Sequence, residues 1–136
     1  MIQIPYNIFD RRLDKCGFFE RAAEKGVQIY ARSSLLQGLA VMAPSNLPQN
    51  VSFANSYLIE FDNICKNFGI TKLNAAIGYV YKKKGISYIV FGVDNKNQLL
   101  EYTTLGNIEI SDEMIKMIDE TFMNVPEKLV NPTLWK

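Results

Sequence analysis

Histidine is absent from this 136-residue sequence, and cysteine occurs only twice. Without an imidazole there is no His-based general base, no Ser-His-Asp or Cys-His pairing, and no Cys2His2 zinc centre. Cys16 and Cys65 stand far apart in helical patterns with no CxxC spacing, so two reduced thiols are expected rather than a metal site or a disulfide. An excess of one charge is also lacking. Fifteen Lys+Arg stand against fourteen Asp+Glu for a formal +1, and such a balance recommends neither a nucleic acid nor an anionic membrane as partner. The one basic run, Lys82-Lys83-Lys84, reads as a solvated helix end. No apolar run is long enough to span a bilayer and no signal-peptide core is visible, so the expectation is a soluble, cytoplasmic protein. Neither GxGxxG nor GxxxxGK[ST] occurs, which leaves both the Rossmann fingerprint and the P-loop unsupported.

What is present is apolar material in quantity. Hydrophobic residues make up 48% of the chain, which suits one globular domain over residues 1–136 that buries roughly two-thirds of its unfolded surface. "IQIPYNIF" opens as a strand with Pro5 near its end. "DRRLDKCGFFERAAEKG" then places Leu13, Phe18, Phe19, Ala22 and Ala23 at helical spacing before Gly26. "VQIYA" reads as a second strand. After the "PSNLPQN" loop come helix patterns at 52–67 and 71–84, the first with Phe53, Tyr57, Phe61, Ile64, Cys65 and Phe68 on one face. Thr71 is the expected N-cap of the second.

"ISYIVFGV" at 86–93 predicts a third strand, buried on both faces by its continuous apolar character. Helices follow from about Lys96 to Thr104 and from Ser111 to Met123, with Ser111 capping the latter and Asp112 and Glu113 in its first turn. Strands alternating with helices imply an α/β fold with a parallel sheet built from right-handed crossovers. Three strands do not close a barrel, and a complete (β/α)8 barrel needs about 250 residues.

In parallel α/β folds, binding groups gather at the C-terminal ends of strands. Tyr6-Asn7, Arg32 to Gly38 and Gly92 to Gln98 occupy those positions and should share one rim. Asn95 or Asp94 should cap the helix after the third strand, where exposed backbone amides favour an anion. By residue type, Arg32 suits a phosphate, a carboxylate or an aromatic ring, or else a surface ion pair. Asp10 and Asp14, beside Arg11 and Arg12, read as ion pairs on a helix surface. Asp112, Glu113, Asp119 and Glu120 read as a solvent face. Tyr6 and Tyr30 carry phenols, with nothing nearby to lower their pKa from about 10.

Laid out in this order, the residues resemble the second half of the aldo-keto reductases. "IQIPYNIFDRRLDKCGFFERAAEKGVQIYARSSLLQGL" is similar to the family's run of a Q-x-x-Y-N strand end, an arginine-bearing helix, and a strand closed by a Ser-x-Leu-x-Gln-Gly turn. "AAIGYVYKKKGISYIVFGVDNKNQLLEYTTL" is similar to its later helix, eighth strand and cofactor loop, and "NPTLW" to the tails of a bacterial subgroup. The resemblance implies a partial TIM barrel, the C-terminal half of the (β/α)8 cylinder from the sixth to the eighth strand with their helices.

It also implies site residues. Gln3 matches the glutamine that bonds the nicotinamide carboxamide, and Arg32 stands where many members stack an aromatic residue on the nicotinamide ring. Ser33, Leu35, Gln37 and Gly38 match the loop along the cofactor pyrophosphate. Gly92, Val93, Gln98 and Glu101 match the grip on the adenosine and its 2′-phosphate. Positions often filled by Lys, Ser and Arg are here Gly92, Val93 and Gln98, with Lys96 the nearby cation, so the resemblance implies NADP or NAD without choosing. The family's tyrosine acid with its lysine, aspartate and histidine belongs to the first four strands, and no residue here matches them. The expectation is therefore the C-terminal portion of an NAD(P)H-dependent oxidoreductase, catalytically incomplete alone, with weak or absent cofactor binding. The alternative is a half-barrel that serves as an interaction or assembly module. Open sheet edges predict self-association into a homo-oligomer, or pairing with the missing N-terminal barrel half; no metal, nucleic acid or membrane is expected as partner.

Overall fold

The computed structural model describes residues 1–105 and 108–136. Three strands of four residues each, β1 (Ile2–Pro5), β2 (Ile29–Arg32) and β3 (Ile86–Ile89), form one sheet in the order β1-β2-β3, parallel throughout. Gln3 pairs with Tyr30 and Pro5 with Arg32, and Tyr30 pairs in turn with Tyr88 across a bulge at Ile29/Tyr30. Side chains alternate along a strand. Ile4, Ile29 and Ala31 therefore enter the core, while Gln3 and Arg32 stay exposed on the other face.

Helices cover the first face. α1 (Phe18–Glu24), α2 (Asn55–Asn67), α3 (Lys72–Lys82), α4 (Lys96–Thr103), α5 (Asp112–Thr121) and the short α6 (Glu127–Val130) follow in chain order. The expected single helix over 10–26 is broken at Gly17, whose φ of 63° ends a 3-10 segment at Arg12–Cys16 before α1 begins. At the far end of α1, Gly26 N–H donates to Ala23 O and Val27 N–H to Ala22 O, a Schellman closure that delays β2 to Ile29. Thr71 and Ser111 cap as expected, accepting from Asn74 N–H and Met114 N–H at 3.2 Å each. The helix expected from residue 52 starts instead as a 3-10 segment at Gln49–Ala54. α6 is too short to leave a periodic signal.

Aromatic rings dominate the core. Phe9 meets Phe122 edge to face with centroids 4.8 Å apart, and Phe61 lies 6.4 Å from both. Phe61, Ile64 and Cys65 of the predicted helical face are buried, together with Leu58, and Phe53, Tyr57 and Phe68 pack against them. Both cysteines are free thiols. Burial pushes the Cys65 thiol up to about 12, which makes it unreactive.

Two expectations are corrected by packing. β3 is not buried on both faces and does not reach residue 93: it ends at Ile89, and Tyr88 is 54% exposed, because no strand lies beyond it among the described residues. The expected surface pairing of the carboxylates near the first helix fails for Asp10. Asp10 is buried and takes a two-pronged contact from Arg12, with Nε and Nη2 each at 2.9 Å. Arg11 sinks between α3 and α5, donating to Tyr79 Oη, the Asp119 carboxylate, Asp119 O and Phe122 O. Asp119, whose side chain stays half-exposed, is thereby paired on the predicted solvent face and also accepts from Tyr79 Oη. Lys83, expected in water, pairs with Asp14 at 2.8 Å and stands 4.6 Å from the Phe19 ring centroid. Asp14 in turn accepts from Tyr6 Oη at 3.0 Å.

Burial, followed by neighbouring Tyr79 and Asp14, pushes the Tyr6 phenol well above its ordinary value. Burial and the hydrogen bond to Asp119 do the same to Tyr79. Both groups resist ionisation in the fold more than in the unfolded chain, so their stabilisation is complete below a pH of about 10 and is lost as pH rises beyond it. Alkaline unfolding followed by circular dichroism should show stability falling above about pH 10, by up to ~1.4 kcal/mol per pH unit for each phenol. Tyr6→Phe and Tyr79→Phe should each flatten that slope. A second outcome concerns Gly78 in α3, where an added Cβ would lie 2.8 Å from Ile108 Cγ2 and 3.2 Å from the buried Ile110. Gly78→Ala gains about 1 kcal/mol of helix propensity but overpacks this crossing by about 1–3 kcal/mol. A melting temperature lower by a few degrees is expected.

Candidate functional site

Because the strands are parallel, all three exits lie at one end of the sheet. β1 leads into Tyr6-Asn7, β2 into the turn 33–38, and β3 through Gly92 to α4. The β2 turn is strained: Ser33, Leu36 and Gln37 have φ of 57°, 49° and 55°, and Gly38 has 85°. Each non-glycine residue in that region costs about 1–2 kcal/mol. Surrounding contacts enforce it. Asn7 Nδ2 donates to Ser33 O at 3.0 Å, Leu36 N–H to Ser33 O at 2.9 Å, and Ala40 N–H to Leu35 O at 3.2 Å. The Leu36 side chain is buried in the core. Asn7 is itself held by its Oδ1, which accepts from Phe9 N–H and Asp10 N–H at 2.9 and 2.8 Å.

The strained turn leaves donors unused. Among the described residues, the N–H groups of Ser34, Leu35, Gln37 and Gly38 donate to no protein acceptor. Ser34 is 2% exposed and its Oγ has no hydrogen-bond partner. Successive unpaired amides in a turn of this kind make an anion-binding concavity.

The β3 exit provides a second set. Asn95 Oδ1 accepts from Gln98 N–H at 3.0 Å, and Gln98 Oε1 accepts from Asp94 N–H at 2.8 Å, which settles Asn95 as the cap of α4. The first-turn amides of Lys96 and Asn97 are left to face outward, as at any helix start. A cavity of about 450 Å3 lies between the two loops. Ser33, Ser34, Leu35, Gln37 and Gly38 form one wall, and Gly92, Val93, Asp94, Gln98 and Tyr102 the other. Its one charged lining residue is Asp94.

The sequence-predicted residues thus separate into groups. Ser33, Leu35, Gln37, Gly38, Gly92, Val93 and Gln98 line the groove. Gln3 and Arg32 lie on the open face of the sheet beside its rim, with Arg32 Nη1 donating to Ser33 Oγ at 3.3 Å. Glu101 and Lys96 are exposed on α4, outside the lining. Val90, Phe91 and Tyr102 also line the groove, as does Ser34 within the 32–38 stretch expected on the rim. Ser34 gave no sign of its orphaned hydroxyl. Tyr102 lies four residues after Gln98 and so on its helix face, a spacing that identifies it in retrospect; burial, with help from Glu101 and Asp94, raises its phenol. Among the described residues no cluster of three or more His, Cys, Asp or Glu could hold a metal ion, and no helix is long and apolar enough to cross a membrane.

Comparison with known proteins bears on the fold. A thermostable aldo-keto reductase, Tm1743, solved with the inhibitor epalrestat, superposes with a TM-score of 0.60 at 24% identity, covering 87% of this chain and 38% of that one. The chain therefore spans well under half the length of that relative, and the likeness shows the fold: three parallel strands and their helices match part of a TIM barrel whose sheet is not closed here. The profile of the Aldo/keto reductase family matches residues 1–122. On that match, the chain belongs to the aldo/keto reductase family.

Proposed function

We propose that this chain supplies one wall of the nicotinamide-dinucleotide cleft of a carbonyl/alcohol oxidoreductase and does not complete the reaction alone. The observation that carries this reading is the pairing of unused amides at Ser34, Leu35, Gln37 and Gly38 with the orphaned Ser34 Oγ, opposite the start of α4. A diphosphate is an anion sized for such a row of N–H donors. Membership of the family supports NAD(P)H as the cofactor class. When bound, such a cofactor supplies the hydride.

The chain's own residues bind and orient. The Gln3 carboxamide offers a donor and an acceptor to another carboxamide, and the flat Arg32 guanidinium suits stacking on an aromatic ring; both lie on the open sheet face next to the groove. NAD is the better fit of the two cofactors, because the groove carries the Asp94 carboxylate and no cationic side chain to meet a 2′-phosphate. Proton donation belongs to residues outside this chain. The groove hydroxyls are serines and Tyr102, whose raised phenol is poorly matched to acid catalysis near neutral pH, a contribution typically of about 10²–10⁴-fold.

Titration with ADP-ribose, followed by amide chemical shifts, isolates the diphosphate from the nicotinamide. Saturable shifts are expected at Ser34 to Gly38 and at Lys96-Asn97, with NAD binding at least ~10-fold tighter than NADP, a difference of about 1.4 kcal/mol. Unmoved amides at millimolar ligand would remove the basis of the reading, and tighter NADP binding would refute the choice of cofactor. Asn7→Ala tests the turn itself. It removes one of the two donors to Ser33 O and the acceptor of two N–H groups, so a stability loss of about 1–3 kcal/mol should accompany faster hydrogen exchange and weaker ligand binding at residues 34–38.

A further inference from the structure

Behind the cofactor turn lies a buried carboxylate that takes no part in the groove lining. Asp10 is 3% exposed, and among the described residues its carboxylate accepts from Arg12 alone, through Nε and Nη2. The Arg12 side chain is 58% exposed, so the pair sits at the boundary between the loop and water. Taking a carboxylate out of water is costly, and a buried pair of this kind is weak evidence for stability. Its best-attested use is to fix one conformation. The segment beside Asp10 that needs fixing is the loop 7–10, every residue of which is buried. Asn7 closes that loop twice on Asp10. Its main-chain N–H donates to Asp10 O at 3.2 Å, and its Oδ1 accepts from Asp10 N–H at 2.8 Å and from Phe9 N–H at 2.9 Å. With Oδ1 committed to these amides the carboxamide has one orientation left, and its Nδ2 meets Ser33 O at 3.0 Å.

We propose that Asp10, clamped by Arg12, is a positioning residue for the 33–38 turn: it fixes the loop 7–10, through it the Asn7 carboxamide, and through that Ser33 O. The inference rests on the cofactor reading for the ligand that the turn serves, and on the hydrogen bonds alone for the positioning. Ser33 opens the turn with a φ of 57°. Its carbonyl takes two donors, Leu36 N–H from within the turn and Asn7 Nδ2 from outside it. Strain of this kind holds only where the surroundings over-determine it, and Asp10 is the charged end of those surroundings. Arg11 does not share the task, because its guanidinium goes to Tyr79, Asp119 and Phe122 O on the α5 side. A guanidinium fork binds both carboxylate oxygens in one plane, so Asp10 cannot rotate without breaking a bond. A lysine at position 12 would supply the charge without the orientation.

The carbon-13 shift of the Ser33 carbonyl and the proton shifts of the Asn7 side-chain amide read the positioning on the full chain with no ligand present, and titration with ADP-ribose reads its consequence. Asp10→Asn keeps the shape and removes the charge. It should carry the Ser33 carbonyl toward its shift in Asn7→Ala, quicken hydrogen exchange at the amides of residues 9 and 10, and weaken ADP-ribose binding about 5-fold, the worth of one hydrogen bond. Arg12→Lys should act in the same direction to a smaller extent, and it decides the matter if Asp10→Asn does not fold. In the Asn7→Ala background neither substitution should move the Ser33 carbonyl or the ADP-ribose affinity further, because a group that acts through Asn7 has no route left. A Ser33 carbonyl that keeps its wild-type shift in both variants while only the melting temperature falls overturns the proposal. So does a loss of affinity that is as large in the Asn7→Ala background as in the wild type. A wild-type chain that does not bind ADP-ribose refutes the cofactor reading instead, and the Ser33 carbonyl still decides the positioning.

Discussion

Ile4, Ile29 and Ala31 bury one face of a three-stranded parallel sheet beneath helices, and most other features follow from that one-sided cover. Parallel strands need a crossover after each strand, and the crossovers here put their helices on a single face. The other face is left with Gln3, Tyr30, Arg32 and Tyr88, side chains that tolerate water. In a closed barrel the corresponding face would be interior. Here it is the floor beside the groove, and its residues are the ones that suit a flat, polar ligand.

The loops at the strand exits depend on the same core by a second route. Asn7 stands at the end of β1 and fastens Ser33 of the neighbouring exit, while Arg11, four residues on, fastens α3 to α5. One short stretch after β1 thus sets both the strain in the 33–38 turn and the docking of the C-terminal helices. Strain of this kind persists only where the surroundings over-determine it. Its yield is a row of amides held away from any protein acceptor, which a relaxed helix or hairpin would have paired.

The groove combines backbone donors and an orphaned hydroxyl with apolar side chains, Leu35, Val90, Phe91 and Val93 among them. The family assignment bears on the fold, of which this chain spans a part with its sheet not closed.

Much of the fold was legible in the residues themselves. The alternation of β-branched runs with helical patterns, the caps at Thr71, Asn95 and Ser111, and the stop at Gly26 act through local hydrogen bonds and backbone sterics, and these operate wherever the chain goes. The groove loops were legible only by resemblance, since "ARSSLLQG" carries no period and no local rule predicts left-handed serine, leucine and glutamine. Tertiary structure alone decided the rest. It buried Asp10, pulled Asp119 and Lys83 into ion pairs, and left the apolar β3 at an edge, because side chains distant in sequence supply those surroundings and an apolar strand is written the same way whether or not a neighbour covers it.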